Sequence, residues 1–171
     1  GGYLQQAVDV ADLFIDQGEI TSTRGRNPAS VQYYYSDPID IAQHLPIVVL
    51  LDQHSASSAE VTAAALQDTG RAIVVGSSSF GKGSVQKITM LPNGGDLYLP
   101  WRRIYSPGGY TLHRQGVTPT ICTSANGESP SVDGLIAAFQ DGSLAHDQSV
   151  IQDRLLAPDD ESALRRLRDA C

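Results

Sequence analysis

The chain has 171 residues, 41% hydrophobic and 18% charged, enough apolar material for a core and too apolar a balance for a disordered segment. With 12 Lys plus Arg against 19 Asp plus Glu the net charge is -7, which phosphate backbones repel, so no nucleic-acid partner is expected. No apolar run approaches the ~20 residues of a membrane span; the longest, Ile47 to Leu51, has the length of a buried strand.

The N-terminal Gly1-Gly2-Tyr3 carries no initiator Met, basic n-region or signal-type apolar segment, and suggests a chain that opens within something larger. From Tyr3 to Phe14, Leu4, Val8, Ala11 and Ile15 recur at helical steps with Gln and Asp between them, which predicts an amphipathic helix stopped by Gly18. Ile20 to Thr23 reads as a short strand, and residues 24–38 as a hairpin or exposed loop. Pro46 to Leu51 is a continuous apolar run of the kind that forms a strand covered on both faces. A Ser-rich turn, an Ala-rich helix from about Ser57 to Asp68 and a second apolar strand, Ala72 to Gly76, complete a βαβ unit, for which parallel pairing is the default. Beyond the Ser77–Gly83 loop, strands are expected at Val85–Leu91 and Asp96–Ser106, joined by the turn Pro92-Asn93-Gly94-Gly95. After Gly116-Val117-Thr118-Pro119 the composition turns to Ser, Asn, Gly and Pro, with helices predicted near Val132–Asp141 and Pro158–Arg168. The fold class is α/β with a mostly helical tail.

The sharpest chemical signal is Ser55-Ala56-Ser57-Ser58-Ala59-Glu60, between a strand and a helix. A serine there meets free backbone N–H groups and the positive end of the helix dipole, where a developing oxyanion is stabilised. Ser57 and Glu60 also fit a capping box, and the two roles compete for one hydroxyl. A nucleophilic serine needs a base. His44, His54, His113 and His146 read as surface histidines, and none stands in a Gly-x-Ser-x-Gly arrangement with a following acid and histidine. Lys82, between Gly81 and Gly83, is the other candidate; a lysine serves as base only as the neutral amine, which requires burial. Gln86, four residues on, would share its face of a strand and orient it.

Gly76-Ser-Ser-Ser-Phe-Gly81-Lys82 nearly spells a phosphate-binding P-loop, but Gly83 stands where the magnesium-binding hydroxyl belongs and a strand pattern follows, so no nucleotide is expected. Asp68 reads either as a supporting catalytic carboxylate or as an acceptor for turn amides. Trp101, Arg102, Arg103 and Tyr105 either line a groove or pack, with packing the preferred reading. Cys122 and Cys171 have no zinc-type spacing and form either one bridge or two unpaired thiols.

Together these segments resemble the C-terminal processing peptidases, the tail-specific serine proteases of the S41 type. The resemblance runs over about residues 1–121: Gly1-Gly2-Tyr3-Leu4, Pro46-Ile-Val-Val-Leu, Ser55-Ala-Ser57 with Glu60, Ala65-Leu66-Gln67-Asp68-x-Gly70-Arg71-Ala72, Phe80-Gly81-Lys82-Gly83-Ser84-Val85-Gln86, Tyr105-Ser106-Pro107-x-Gly109 and Gly116-Val117-Thr118-Pro119. It implies a ClpP/crotonase-like core over 1–121 and an extension of unknown role over 122–171. It further implies Ser57 as nucleophile, Lys82 as a buried base and Gln86 as its support. The oxyanion would be held by backbone N–H groups of Ser58, Gly1 and Gly2, with Glu60 and Asp68 in supporting places and no metal or cofactor. Implied partners are polypeptides with exposed C-terminal tails, plus a regulatory protein or a second copy. The implied location is the cell envelope or periplasm, which would suit a Cys122–Cys171 bridge. The family's Asn-Pro-Gly-Gly block, helical region and PDZ module are not in this sequence, so the chain by itself is expected to lack regulated activity. The usual Ser-Ala-Ser-Ala-Ser reads Ser55-Ala-Ser57-Ser58-Ala59, a swap of two small residues with little expected effect.

Overall fold

The computed structural model describes residues 1–123 together with 134, 137, 154, 155, 160–162, 164, 165 and 171. Most of both helices expected in the tail falls outside the described residues.

Helix α1 (Leu4–Asp12) buries Ala7, Val8 and Ala11, the stripe its spacing specifies. It ends before Gly18, which at φ +116° turns the chain into strand β1 (Glu19–Gly25). The tyrosine-rich stretch beyond is a hairpin: after a single 3₁₀ turn at Pro28–Ser30, strand β2 (Gln32–Tyr35) returns antiparallel to β1. Strand β3 (Val48–Leu51), helix α2 (Ser58–Asp68) and strand β4 (Ile73–Gly76) form the βαβ unit, with β3 and β4 parallel from Val48–Ile73 to Leu51–Gly76. Strands β5 (Ser84–Met90) and β6 (Asp96–Tyr105) make the expected hairpin, with a register shift between Val85 and Gln86. A short strand, β7 (Ile121–Cys122), adds to β4 in parallel.

The described residues form two sheets, an antiparallel one ordered β2-β1-β6-β5 and a parallel one ordered β3-β4-β7. Helix α2 lies at the centre of the packing. Val61, Ala63 and Ala64 face Leu51, Val74, Ile104 and Leu112, while Ala65 and Leu66 face Val8, Ala11, Ile15 and Ile20. Three consecutive alanines bring neighbouring backbones close, and the Thr62 hydroxyl donates to the Ala7 carbonyl at 3.2 Å across the α1–α2 contact. A helix so widely buried shows no single apolar stripe.

The expectation that β3 is covered on both faces does not hold. Leu51 is buried, but Val48 and Leu50 are 58% and 77% exposed. Among the described residues the strand is an edge of its sheet, and its odd and even residues point to opposite faces, of which those residues cover only one.

Part of the extension is tied to this core. Arg154 is fully buried, stacks 4.6 Å from the centre of the Tyr110 ring and donates to the Gly116 carbonyl at 3.1 Å and to the Thr118 hydroxyl. Cys122 and Cys171 are joined by a disulfide with their Cα atoms 5.5 Å apart.

Candidate active site

The turn from β3 to α2 sets Ser57 at φ 61°, ψ -120°, a conformation that non-glycine residues seldom adopt. Such a turn lifts a side chain off the end of a sheet toward solvent, as in nucleophile elbows generally. Ser57 and Glu60 face each other as in a capping box. The work is done mainly by the carboxylate, however: Glu60 Oε2 accepts from the Ser57 N–H at 2.6 Å, and the Glu60 N–H bonds the Ser57 carbonyl oxygen at 2.9 Å. The Ser57 hydroxyl itself makes no capping hydrogen bond.

Glu60 is completely buried and organises more than the cap. Its Oε1 accepts from the Ser79 hydroxyl at 2.5 Å and the Gly81 N–H at 2.6 Å, and its Oε2 also accepts from the Lys82 N–H at 2.8 Å. One carboxylate therefore joins the backbone of Ser57 to that of Lys82. The Ser79 hydroxyl in turn accepts from the Val117 N–H at 2.7 Å, extending the network to the Gly116–Pro119 segment. All four groups at Glu60 donate, so the side chain serves purely as an acceptor. Ser79 is the residue that sequence reasoning missed. Its only local signal is one serine among three in Ser77-Ser78-Ser79, and the contact spans 19 positions.

Ser57, Ser58, Lys82 and Gln86 line one cleft of about 240 Å³, with Gly2, Tyr3, Leu4, Ser84, Val85 and Ile104 completing its walls. Gly1 lies alongside: a Cβ on it would stand 3.2 Å from the Ala56 carbonyl oxygen and 3.3 Å from Ser57 Cβ. A Cβ on Gly2 would stand 3.4 Å from Ser58 Oγ. Backbone without side chains thus abuts the serine turn, and Ser58, as first residue of α2, has no carbonyl one helical turn back for its N–H.

Lys82 does not meet the expectation of a buried amine: it is exposed. Its neighbours Gly81 and Gly83 are the buried residues, and a Cβ on Gly83 would come within 2.1 Å of the His113 nitrogen. The backbone is packed inward on both sides of Lys82, so the side chain projects into the open cleft. Gln86 is likewise exposed, beside the bulge that interrupts β5 pairing. Asp68 does not line the cleft. It sits at the far end of α2, about 15 Å along the helix at 1.5 Å per residue, where Oδ2 accepts from the Gly108 N–H at 3.0 Å.

His113 is half-buried rather than a surface residue, and lines two hollows that adjoin the Lys82 loop. Burial lowers its pKa below the usual 6.5, and the charges of Arg103 and Arg114 lower it further. Trp101 is 45% exposed and lines the second hollow with Arg102, Arg103 and Tyr105, while Arg102 stacks on the Trp101 ring and Arg24 on that of Tyr105, so these side chains both pack and form a cleft wall. The Gly76–Lys82 loop runs into strand β5 rather than a helix, so the P-loop resemblance has no phosphate-binding helix behind it.

A serine in a strained strand-to-helix turn thus lines one cleft with a lysine and with glycine backbone. The model of peptidase family S41 matches residues 1–123, and the chain belongs to that family. It is 45% identical over 121 residues to a carboxy-terminal-processing protease of Bartonella bacilliformis, covering 71% of this chain and 28% of that protein. To the chloroplastic carboxyl-terminal-processing peptidase 3 of Arabidopsis thaliana it is 36% identical over 131 residues, covering 72% of this chain and 24% of that protein. Among solved structures, a photosystem II D1 C-terminal processing protease superposes with a TM-score of 0.67 at 27% identity, over 87% of this chain and 37% of the other. The chain thus spans roughly a quarter of the length of the curated relatives it matches.

Proposed function

We propose that the protein containing this chain is a serine endopeptidase that cleaves exposed C-terminal tails of polypeptides, with Ser57 as nucleophile and Lys82 as general base. The observation that carries this reading is the shared Glu60 carboxylate, which fixes the Ser57 and Lys82 backbones relative to one another at the mouth of one cleft. Lys82, as the amine, takes the Ser57 proton while Oγ attacks the scissile carbonyl. The oxyanion is held by N–H groups of Ser58 and the Gly1–Gly2 segment. The ammonium of Lys82 then protonates the leaving amine, the acyl–Ser57 ester remains, and water releases it. Gln86 orients the amine from the same cleft wall. Because Lys82 is exposed, the desolvation a neutral amine needs comes in this reading from the substrate chain laid over it. The disulfide suits an oxidising compartment such as the cell envelope, and the family's regulatory modules or a second copy would act there as partners.

The exposure of Lys82 also favours a second reading, a module that grips peptides without cutting them. The two separate in one experiment: the intact protein, its Ser57→Ala and its Lys82→Ala variants are incubated with an unstructured peptide and followed by mass spectrometry. The proposal expects cleavage by the parent alone, with both variants folded and still binding. Full activity of Lys82→Ala removes the proposed base, and a parent that binds without cutting establishes the second reading.

A further inference from the structure

The loop that carries Lys82 into the cleft is gripped from two sides. On one side Glu60, from α2, accepts the N–H groups of Gly81 and Lys82. On the other runs the segment that precedes Pro119. Its Arg114 N–H bonds the Gly81 carbonyl oxygen at 2.8 Å, and its Val117 carbonyl oxygen accepts the Ser79 N–H at 3.0 Å. The Phe80 N–H reaches the Ser55 carbonyl oxygen at 3.0 Å, which ties the same loop to the serine turn. The Lys82 side chain is exposed, so its place at the cleft is set through this backbone.

One side chain joins the two sides. Ser79 is only 4% exposed, and a hydroxyl has one proton to donate and lone pairs with which to accept. Here the proton goes to Glu60 Oε1 at 2.5 Å, and a lone pair takes the Val117 N–H at 2.7 Å. The first of these is a bond to a carboxylate, the stronger class. Its second anchor is also well fixed. Val117 is fully buried, and the buried Arg154 donates to the adjoining Gly116 carbonyl at 3.1 Å. Gly116 permits the close approach: at φ +68° its Cβ position lies 2.6 Å from the Ser79 carbonyl oxygen and 2.8 Å from Ser79 Oγ, so a side chain there would push the segments apart.

We infer that Ser79 is a positioning residue for the proposed peptide cleavage. Its hydroxyl locks the loop between Glu60 and Val117, so that Lys82 enters the cleft at a fixed place relative to Ser57. The inference rests on the peptidase reading and deepens it; Ser79 acts through the loop and not on the substrate. In Ser79→Ala, Glu60 Oε1 keeps the Gly81 N–H, but the buried Val117 N–H loses its side-chain acceptor and the two sides are no longer joined through residue 79. A base displaced by about 1 Å costs on the order of a hundredfold in rate.

The test uses the intact protein and an unstructured peptide, with cleavage measured well below the melting transition. Ser79→Ala is expected to lower kcat about thirtyfold while KM stays within about twofold. Ser79→Thr, which keeps the hydroxyl, should recover most of the loss. In a Glu60→Gln background the same Ser79→Ala change should cost less than about threefold, because the two residues act as one unit. Should Ser79→Ala not fold, Ser79→Cys, which fills the site but donates weakly, is expected to lower kcat in the same way. Hydrogen exchange read by mass spectrometry supplies a measurement independent of turnover: the segment containing Gly81 and Lys82 should exchange about tenfold faster in Ser79→Ala than in the parent. A folded Ser79→Ala protein with parental kcat overturns the inference, as does a loss that appears only in KM or one that is undiminished in the Glu60→Gln background. A parent that never cleaves defeats the peptidase reading instead, and the exchange comparison then decides alone whether Ser79 holds the Lys82 loop.

Discussion

Replacing Glu60 by Gln keeps the volume of the side chain and changes one oxygen to an NH₂ group, so its consequences follow from the four donors around it. Placed at the Oε2 position, the NH₂ would oppose both the Ser57 and the Lys82 N–H groups. At the Oε1 position it would oppose only the Gly81 N–H, because the Ser79 hydroxyl can turn and accept. The second placement is favoured. It sets the amide N–H against the Gly81 N–H, so that neither has an acceptor, and removes the charge from the remaining bonds, a destabilisation of about 2–4 kcal/mol. For a chain of this size that lowers Tm by about 4–12 °C. Turnover should fall further than stability suggests, by about a hundredfold in kcat, because the loop bearing Lys82 is released from the turn bearing Ser57. Thermal denaturation followed by circular dichroism, together with peptide cleavage below the transition, measures both. A Glu60→Gln protein with parental Tm and parental kcat would refute the role given to this carboxylate.

Ser57→Gly relieves a backbone conformation that costs about 1–3 kcal/mol, whereas Ser57→Ala retains it; after the added chain entropy of glycine, the Gly variant should melt about 2–4 °C above the Ala variant, and a Gly variant melting at or below it would count against strain at this turn. The disulfide spans 49 positions, so chain-entropy arguments give about 4 kcal/mol and a fall of about 10 °C in Tm on reduction; unchanged melting in reductant, or two alkylatable thiols in the native protein, would exclude the bridge. His113 has a folded-state pKa below the unfolded value of 6.5, so its contribution is complete above that pH and is lost as pH falls through the folded-state value. Acidification from about pH 7.5 to about pH 5.5 should therefore lower Tm more in the parent than in His113→Gln, and parallel pH profiles would show that the imidazole is not the group responsible.

The parts of the fold legible in the sequence are those specified by neighbouring residues. The alanine-rich helix, its stop near Gly70, the Pro92–Gly95 turn and the parallel β3–β4 pair all have local signals, and each stands within a residue or two of its expected place. What escaped was set by contacts between distant segments. Nothing near Arg24 announces that its cross-strand neighbour is Arg103, a contact that exists only because β1 pairs with β6. The exposed face of β3 is likewise a property of sheet order, since Val-Val-Leu-Leu reads the same at an edge as in the middle. The family resemblance implies a buried Lys82, but the missing Cβ of Gly83 lets the backbone there press against His113, and the Lys82 side chain is exposed.

The ambiguity at Ser57 is the most informative case. In Ser57-Ser58-Ala59-Glu60, nucleophile and helix cap call on the same hydroxyl, and residue types alone cannot assign it. An ordinary N-cap residue is extended and points its oxygen back at the first-turn amides. At φ 61° Ser57 is not in that conformation, and Glu60 supplies the capping acceptor to the Ser57 N–H instead. The reciprocal half of the box carries the structural duty, so the hydroxyl can stand at the cleft without leaving the turn unsupported. In the proposed reading the two roles that compete in the sequence are divided between two side chains, so Glu60 is as informative a position to mutate as the serine it holds.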